Sequence, residues 1–301
     1  MSLNRTSSPH CRPNNKHLMQ ALNDGIGLRI VLQPQIDLAT GALVGGEALA
    51  RWRHPEFGDI PPTRFIPAIK RLGLEPTLFD FVLDGVIRLL AELKSWGVTV
   101  PISINASADM LCHTSLASRI SCKTKAQSID TRLIRIELTE DVCLSPLTSM
   151  KAAMHELATE GIRVSLDDFG TGASSLTLFD RLPFSELKLA REFMRRIRQN
   201  VIVARLAQVA IARAKERRLR VVAEGIEHAA DITLSQSIGC EIGQGFYISM
   251  PLEVHEFTAN SVQGSRALRG SDSNERRPPE SARHKYPHIY CESASVNRTS
   301  S

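Results

Sequence analysis

The stretch Val164-Ser165-Leu166-Asp167-Asp168-Phe169-Gly170-Thr171-Gly172 is an apolar, alternating run that stops at two adjacent carboxylates and a glycine-punctuated turn. Neighbouring residues of a strand point to opposite faces, so Asp167 and Asp168 can serve one site only where the strand runs out. Two acids side by side repel, and a cation between them is the simplest way to keep both ionised. Taken alone, the same residues also describe a turn that caps the next helix. The other strand ends decide between these.

Outward from this stretch, strands and helices alternate. Before it, apolar spacing predicts helices over Pro61–Leu72, Pro76–Trp96, Asp109–Cys122 and Leu147–Thr159, with strands Val100–Asn105 and Leu133–Glu137 between them. Gly97 and Gly161 stop two of those helices. After it come a short helix from about Ser174, a strand Glu186–Leu189 and a long helix to about Arg218. A strand Leu219–Ala223, a helix Ala230–Ile238 and a last strand Gly243–Ile248 follow. At the front, a short amphipathic stretch His17–Asn23 leads into a strand from Leu28 closed by Pro34, which can pair as a hairpin with Val44–Trp52.

About eight strand–helix repeats predict an α/β fold with a parallel sheet closed as a (β/α)8 barrel. An open doubly wound sheet is the alternative, and it would normally carry a glycine-rich phosphate turn after the first strand, which is absent. Residues 1–17 and 259–301 are polar and rich in Ser, Asn, Pro or Arg, so they are expected to be disordered tails around a domain of residues 18–258. Each tail carries +3, which leaves only −1 for the body out of the net +5 and removes the overall argument for nucleic-acid binding. The arginines between Arg191 and Arg220 are read as a solvated helix face, since only Phe193 is interleaved to stack on bases. No apolar run suits a membrane span and no signal peptide is evident, so a cytoplasmic protein is expected. The six cysteines are scattered without a Cys-x-x-Cys pair and are expected to be reduced thiols.

The strand ends repeat one theme. Glu47, Asn105, Glu137, Asp167 with Asp168, Lys188, Glu224 and Gln244 each stand at or just past the C-terminal end of a predicted strand. Those ends meet at one rim in a barrel, the rim where barrel enzymes carry their chemistry. The pairs Ser103/Asn105, Arg135/Glu137, Ser165/Asp167 and Val222/Glu224 each share a strand face, so all the functional atoms can point inward. Five carboxylates and an amide oxygen at one mouth select hard divalent ions such as Mg²⁺ or Mn²⁺. Five acids suffice for two ions bridged by Asp167, an arrangement suited to in-line displacement at phosphorus. Lys188 would hold the attacking water or offset developing charge.

These motifs are recognisable. Gly-Gly-Glu47-Ala-Leu49-Ala-Arg51-Trp, Asn105-Ala-Ser, Glu137-Leu-Thr-Glu140, Asp167-Asp168-Phe-Gly-Thr-Gly, Leu-Lys188, Ala-Glu224-Gly-Ile-Glu227 and Gln244-Gly together resemble the EAL domain family over roughly residues 18–258. The resemblance implies a TIM-like barrel with one antiparallel strand near the N-terminus. It implies a cyclic di-GMP phosphodiesterase that releases linear pGpG with two Mg²⁺ or Mn²⁺ ions. Glu47, Asn105, Glu137 and Asp167 would hold one ion, and Asp167, Asp168 and Glu224 the other. Glu47, Asp168, Lys188 and Glu140 would form the catalytic group, Lys188 contacting the water and Glu140 bracing the loop from Phe169 to Ser175. Arg51, Gln244, Gln33 and Leu49 would meet the substrate, and the loop after Asp168 would pair two copies as a homodimer. No membrane, and no nucleic acid beyond the dinucleotide, is implied as partner.

Four positions depart from the family pattern. Ala173 stands where the family usually has Tyr, Lys70 near where it has an acid, and Ser185 and Ala190 where it has Asp. The alternative they motivate is a barrel that binds cyclic di-GMP or a protein partner with little or no turnover. Seventeen polar residues ahead of the domain are too few for a receiver, sensory or cyclase domain, so none is expected.

Overall fold

The computed structural model describes residues 15–112, 115–138, 146–171 and 175–270. Helix α1 (Asn15–Asp24) leads into β1 (Leu28–Asp37), and β2 (Leu43–His54) returns beside it. Then follow β3 (Gly58–Ile60), α2 (Pro62–Arg71), α3 (Glu75–Ser95), β4 (Ile102–Ala106), α4 (Ala108–Leu111), α5 (Leu116–Ala126), β5 (Ile134–Leu138) and α6 (Leu147–Thr159). The second half runs β6 (Arg163–Phe169), α7 (Ser175–Arg181), β7 (Glu186–Leu189), α8 (Arg191–Ile197), α9 (Val201–Glu216), β8 (Arg220–Ala223), α10 (Ala229–Ile238), β9 (Ile242–Gly243), β10 (Leu252–Glu253) and α11 (Val254–Gly270).

Strands β2 and β4 to β9 pair side by side in parallel. β1 lies antiparallel between β2 and β9 and closes the ring, through Gln33 opposite Glu47 and Ile36 opposite Gly243. The result is an eight-strand barrel with one antiparallel strand near the N-terminus, and β3 and β10 extend its edges. The hairpin turn is made by Asp37, whose carboxylate accepts from the N–H groups of Ala39 (3.0 Å) and Thr40 (2.8 Å).

Alternation along the strands sorts the two faces. Ile102, Ile104, Ile134, Ile136, Leu166, Leu187, Leu189 and Val221 join the apolar layer shared with the surrounding helices, including Leu83, Leu90, Met150 and Ala207. The intervening positions, Ser103, Arg135, Glu137, Ser165, Asp167, Glu186 and Lys188, are polar yet buried. They turn inward. A smaller apolar cluster of Leu18, Leu22, Trp52, Ile60, Phe65 and Ile69 fixes α1 and α2 against the ends of β1 and β2.

Several expected boundaries change for local reasons. Pro34 does not end β1: Gly46 opposite it points away from β1, with its N–H on Pro101 O at 3.1 Å, so this pair does not call for the N–H that proline lacks. The single helix expected up to Arg218 is two, because the Asn200 side chain accepts from the N–H groups of Ile202 (2.9 Å) and Val203 (3.3 Å) and starts a new helix. The helix expected over Asp109–Cys122 also divides, into α4 and α5. The strand expected over Gly243–Ile248 is only Ile242–Gly243, the last of the barrel ring. Past it the chain turns to bond the β8–α10 connection, with Ile226 N–H on Gln244 O (3.1 Å) and Tyr247 N–H on Ile226 O (2.9 Å).

The expected domain end at residue 258 falls inside α11. Phe257 is fully buried, and Thr258 and Ser261 are buried after it. Phe257 packs so close to β2 that a Cβ on Gly46 would lie 2.9 Å from its ring, which is why that strand position is glycine. Helix α11 therefore belongs to the barrel. No helix among the described residues is long and apolar enough to cross a membrane.

Phe257→Ala should cost about 3–5 kcal/mol, the usual range for emptying a buried aromatic site, read as a lower urea midpoint at constant slope. Ending the chain at residue 258 should also lower that midpoint, whereas an unchanged midpoint would mean that 259–270 contributes nothing to the domain.

Candidate active site

Three buried carboxylates and one half-buried carboxylate, Glu224, meet one buried ammonium. Lys188 Nζ lies 2.6 Å from Glu224 Oε1, 2.8 Å from Glu137 Oε2, 2.9 Å from Asp167 Oδ1 and 3.5 Å from Glu47 Oε2. Glu47 lies inside β2 rather than at its C-terminal end, Glu137 lies on β5, Asp167 on β6 and Lys188 on β7, while Glu224 follows β8. Asn105 Nδ2 donates to Glu47 Oε1 at 2.8 Å, and Gln244 Nε2 donates to Glu47 Oε2 at 2.6 Å. Gln244 also donates to Gln33 Oε1 (3.3 Å) and accepts from Gln35 Nε2 (2.8 Å).

Asp168 joins this group through a break in the strand. The β6–β7 register pairs Leu166 with Leu187 but Phe169 with Leu189, so β6 holds one residue more than β7 there. Asp168 takes the left-handed conformation, φ +54°, rare for a non-glycine residue. That kink brings the carboxylates of Asp167, Asp168 and Glu224 to within 4.8 Å of one another. The next residue is glycine for a packing reason as well: at φ +98°, a Cβ on Gly170 would lie 2.3 Å from the Phe193 ring.

The electrostatics follow from burial and crowding. Burial pushes Glu137 well above the ordinary carboxylate range, and Glu47 and Asp167 add to the push, with Lys188 opposing. Glu224 is raised well above it too, by burial and by Asp167 and Glu47 against the pull of Lys188. Burial also raises Glu47, but Lys188 and the donors Asn105 and Gln244 outweigh it and leave that carboxyl low. For Lys188, burial favours the neutral amine, yet the surrounding carboxylates hold its pKa well above the ordinary lysine value. Below this ring lies a second charged layer. Glu186 Oε2 stands 2.6 Å from Arg220 Nη2 and 3.5 Å from Arg135 Nη1, and burial pushes the Arg135 guanidinium down to about 10.

The donors suit hard cations. They are oxygens apart from the one lysine, they carry an excess of negative charge, and Glu137 Oε1 is buried without a hydrogen-bond partner. Above them opens a cavity of about 290 Å³, walled by Gln33, Glu47, Asp167, Asp168, Glu224 and Gln244 and, on one side, by Arg191, Glu227 and Phe246.

The structure thus gathers Glu47, Asn105, Glu137, Asp167, Asp168, Lys188, Glu224, Gln244 and Gln33 at one mouth. Leu49 and Arg51 lie farther along the same face of β2, outside the residues that wall the cavity. Arg51 Nη1 donates to Ala50 O at 2.9 Å, and burial lowers its pKa. Glu140 and Ala173 lie outside the described residues. Lys70 is exposed on α2. Ala190 is buried, and the Ser185 hydroxyl donates to Val164 O at 3.0 Å. Sequence reasoning gave no site role to Gln35 or Phe246, read Arg191 as part of a solvated helix face, and named Glu227 only as the end of a motif. Gln35 had a signal, since it shares a strand face with Gln33, whereas Arg191 and Phe246 stand beyond strand ends, where alternation says nothing.

Comparison with known proteins agrees with this geometry. The sequence profile described as EAL domain matches residues 15–251. The chain is 34% identical over 235 residues to the cyclic di-GMP phosphodiesterase PA2567 of Pseudomonas aeruginosa, covering 78% of this chain and 40% of that protein. It is 34% identical over 230 residues to the oxygen sensor protein DosP of Escherichia coli, covering 76% of this chain and 29% of that one. The chain therefore spans less than half the length of these curated relatives. Among solved structures, the PaMucR phosphodiesterase in its c-di-GMP complex superposes with a TM-score of 0.74 at 29% identity, over 80% of this chain and 98% of that chain. Profile, barrel and acid-lined mouth coincide: the chain belongs to the EAL domain family.

Proposed function

We propose that this chain is a metal-dependent phosphodiesterase that hydrolyses cyclic di-GMP to linear pGpG. The observation that carries the reading is the convergence of Glu47, Glu137, Asp167 and Glu224 on Lys188, with Asp168 turned into the same mouth. Relatives named as cyclic di-GMP phosphodiesterases support the substrate.

Two hard divalent ions, Mg²⁺ or Mn²⁺, fit the donors, one on Glu47, Asn105, Glu137 and Asp167, the other on Asp167, Asp168 and Glu224. When bound, they would supply an activated water and charge neutralisation at the phosphoryl oxygens. The chain's own part is positioning. Lys188, kept protonated by its neighbours, turns an N–H from the acids towards the attacking water and stabilises charge that develops there. Gln244 and Asn105 hold Glu47 in one orientation through both of its oxygens. Gln33 and Gln244 line the substrate wall, and the family resemblance assigns Glu140, outside the described residues, to bracing the loop after Phe169.

A second reading, a cyclic di-GMP receptor with little turnover, is favoured by Lys70, Ala173, Ser185 and Ala190. Incubating the purified protein with cyclic di-GMP and Mn²⁺ separates the two, since tight binding without pGpG would defeat the enzyme. Asp167→Ala should abolish hydrolysis while the protein still melts cooperatively, because removing one acid relieves repulsion in the metal-free barrel. Turnover surviving in that variant would contradict a shared bridging carboxylate.

Charge crowding also sets a pH trend. Above the ordinary carboxylate range, folded Glu137 and Glu224 still hold protons that the unfolded chain has released, so metal-free stability should fall as pH rises. Glu47 acts in the opposite sense, one group against two. The urea midpoint in EDTA should therefore drop between pH 5 and pH 8, and Mn²⁺ should reduce the drop; a rise in EDTA would refute the charge argument.

A homodimer is the proposed assembly. Helix α9 exposes Ile202, Leu206 and Val209 on one stripe, with Val201 beside it. Arg213 pairs with Asp180 and ties α9 to α7, the helix that follows the loop after Asp168. Leu206→Glu should yield a monomer in light scattering, and a dimer of unchanged affinity would rule this stripe out.

A further inference from the structure

Arg191 is the one cation among the residues that wall the cavity, and the mechanism above does not use it. Its Nη2 lies 2.8 Å from Glu227 Oε1, a single contact, and the rest of its fork has no other partner among the described residues. Its side chain is 54% exposed, so those donors face the cavity and solvent together. Its stem is fixed by the backbone beneath it. A Cβ on Gly225, at φ +63°, would lie 2.3 Å from Arg191 Cγ, so the side chain lies flat on the glycine next to Glu224.

Position around the barrel adds to this. Arg51 follows Glu47 on β2, and Arg191 follows β7, which stands four strands away in a ring of eight. The two arginines therefore stand on opposite sides of the barrel, and only Arg191 walls the cavity. A cyclic dinucleotide carries two phosphodiesters, and the acid ring can serve only the one that is cut. The other is an anion entering a cavity lined mainly by carboxylates, and it needs a cation at the rim. A cavity of about 290 Å³ is at the low end for a small-molecule site, so part of such a ligand must lie at that rim.

Resting on the phosphodiesterase reading, we propose that Arg191 is a positioning residue for the substrate. Its fork, steadied by Glu227, receives the phosphodiester that is not cleaved, while Phe246, 54% exposed in the same wall, offers a face to the adjoining base. A guanidinium suits this task because its remaining donors can take two phosphate oxygens while one donor stays with Glu227.

The test is steady-state hydrolysis of cyclic di-GMP with Mn²⁺, and calorimetric binding, for the full chain and for Arg191→Met and Arg191→Lys. The expected result is a KM and a Kd raised about tenfold in Arg191→Met, with kcat within about threefold. The rise of KM with salt should be shallower, as one phosphate contact fewer requires. Arg191→Lys should recover most of the affinity, and it also serves if the Met variant does not fold. An unchanged KM and salt slope would overturn the proposal, and so would a loss confined to kcat. If the unaltered chain binds cyclic di-GMP without cutting it, the enzyme reading fails and Arg191 is judged by Kd alone. If it does not bind, both fail.

Discussion

Everything at the mouth depends on one ammonium group held among like charges. Lys188 is fully buried, and without it Glu47, Glu137, Asp167 and Glu224 would face one another with no positive charge between them. A buried ion pair gains stability only when its geometry is good and the remaining polar atoms are partnered. Here the geometry is uneven. Lys188 is close to Glu224 and Glu137, its approach to Asp167 is off the hydrogen-bonding direction, and Glu137 Oε1 stays unpartnered. The lysine is one charge doing the service of several, and the shortfall is what a divalent ion would supply. Strand pairing fixes Glu47 and Glu137, Asp167 sits at the irregularity in β6, and the Glu224 N–H donates to Leu189 O at 3.1 Å.

The second constraint is geometric and lies at Asp168. A regular strand would send Asp167 and Asp168 to opposite faces, and the mouth would lose a carboxylate. One extra residue in β6 and a left-handed Asp168 resolve this, and the surroundings hold the conformation in place. Thr171 N–H and its hydroxyl both donate to Asp168 O, at 3.3 and 3.0 Å. Phe169 meets Phe179 and Phe193 edge-on, and Ala190 N–H donates to Phe169 O at 3.2 Å. Strain of this kind persists where the environment over-determines it, and its place beside the acid ring ties it to function.

Much of this was legible in the residues. Period-two alternation identified the inward face from Ser103 to Glu224, because a barrel interior makes every second residue answer to the same surroundings. Motif order found the acids because hard-ion chemistry admits few substitutes. What could not be read lay outside those two rules. Pro34 within β1 was tolerable only because Gly46 bonds elsewhere, a fact about a distant residue. Helix α11 reads as polar by composition, yet Phe257 is fully buried with Val254 and Val262 packed on the same core, and composition averages over that. Arg191 looked like one more arginine in a basic run. Only the third dimension separates it from its neighbours.

The four departures from the family pattern can be weighed by what surrounds them. Ala190 is buried behind Lys188, with its N–H on Phe169 O, and Ser185 returns both its N–H and its hydroxyl to Val164 O, at 2.8 and 3.0 Å. Both therefore act on the ends of β7, where backbone bonds to β6 already set the register that carries Lys188 to the acids. Ala190 packs into the apolar layer around β7 rather than among the acids of the mouth. The changes at 185 and 190 thus bear on the ends of β7, which carries Lys188, while neither removes an acid from the mouth.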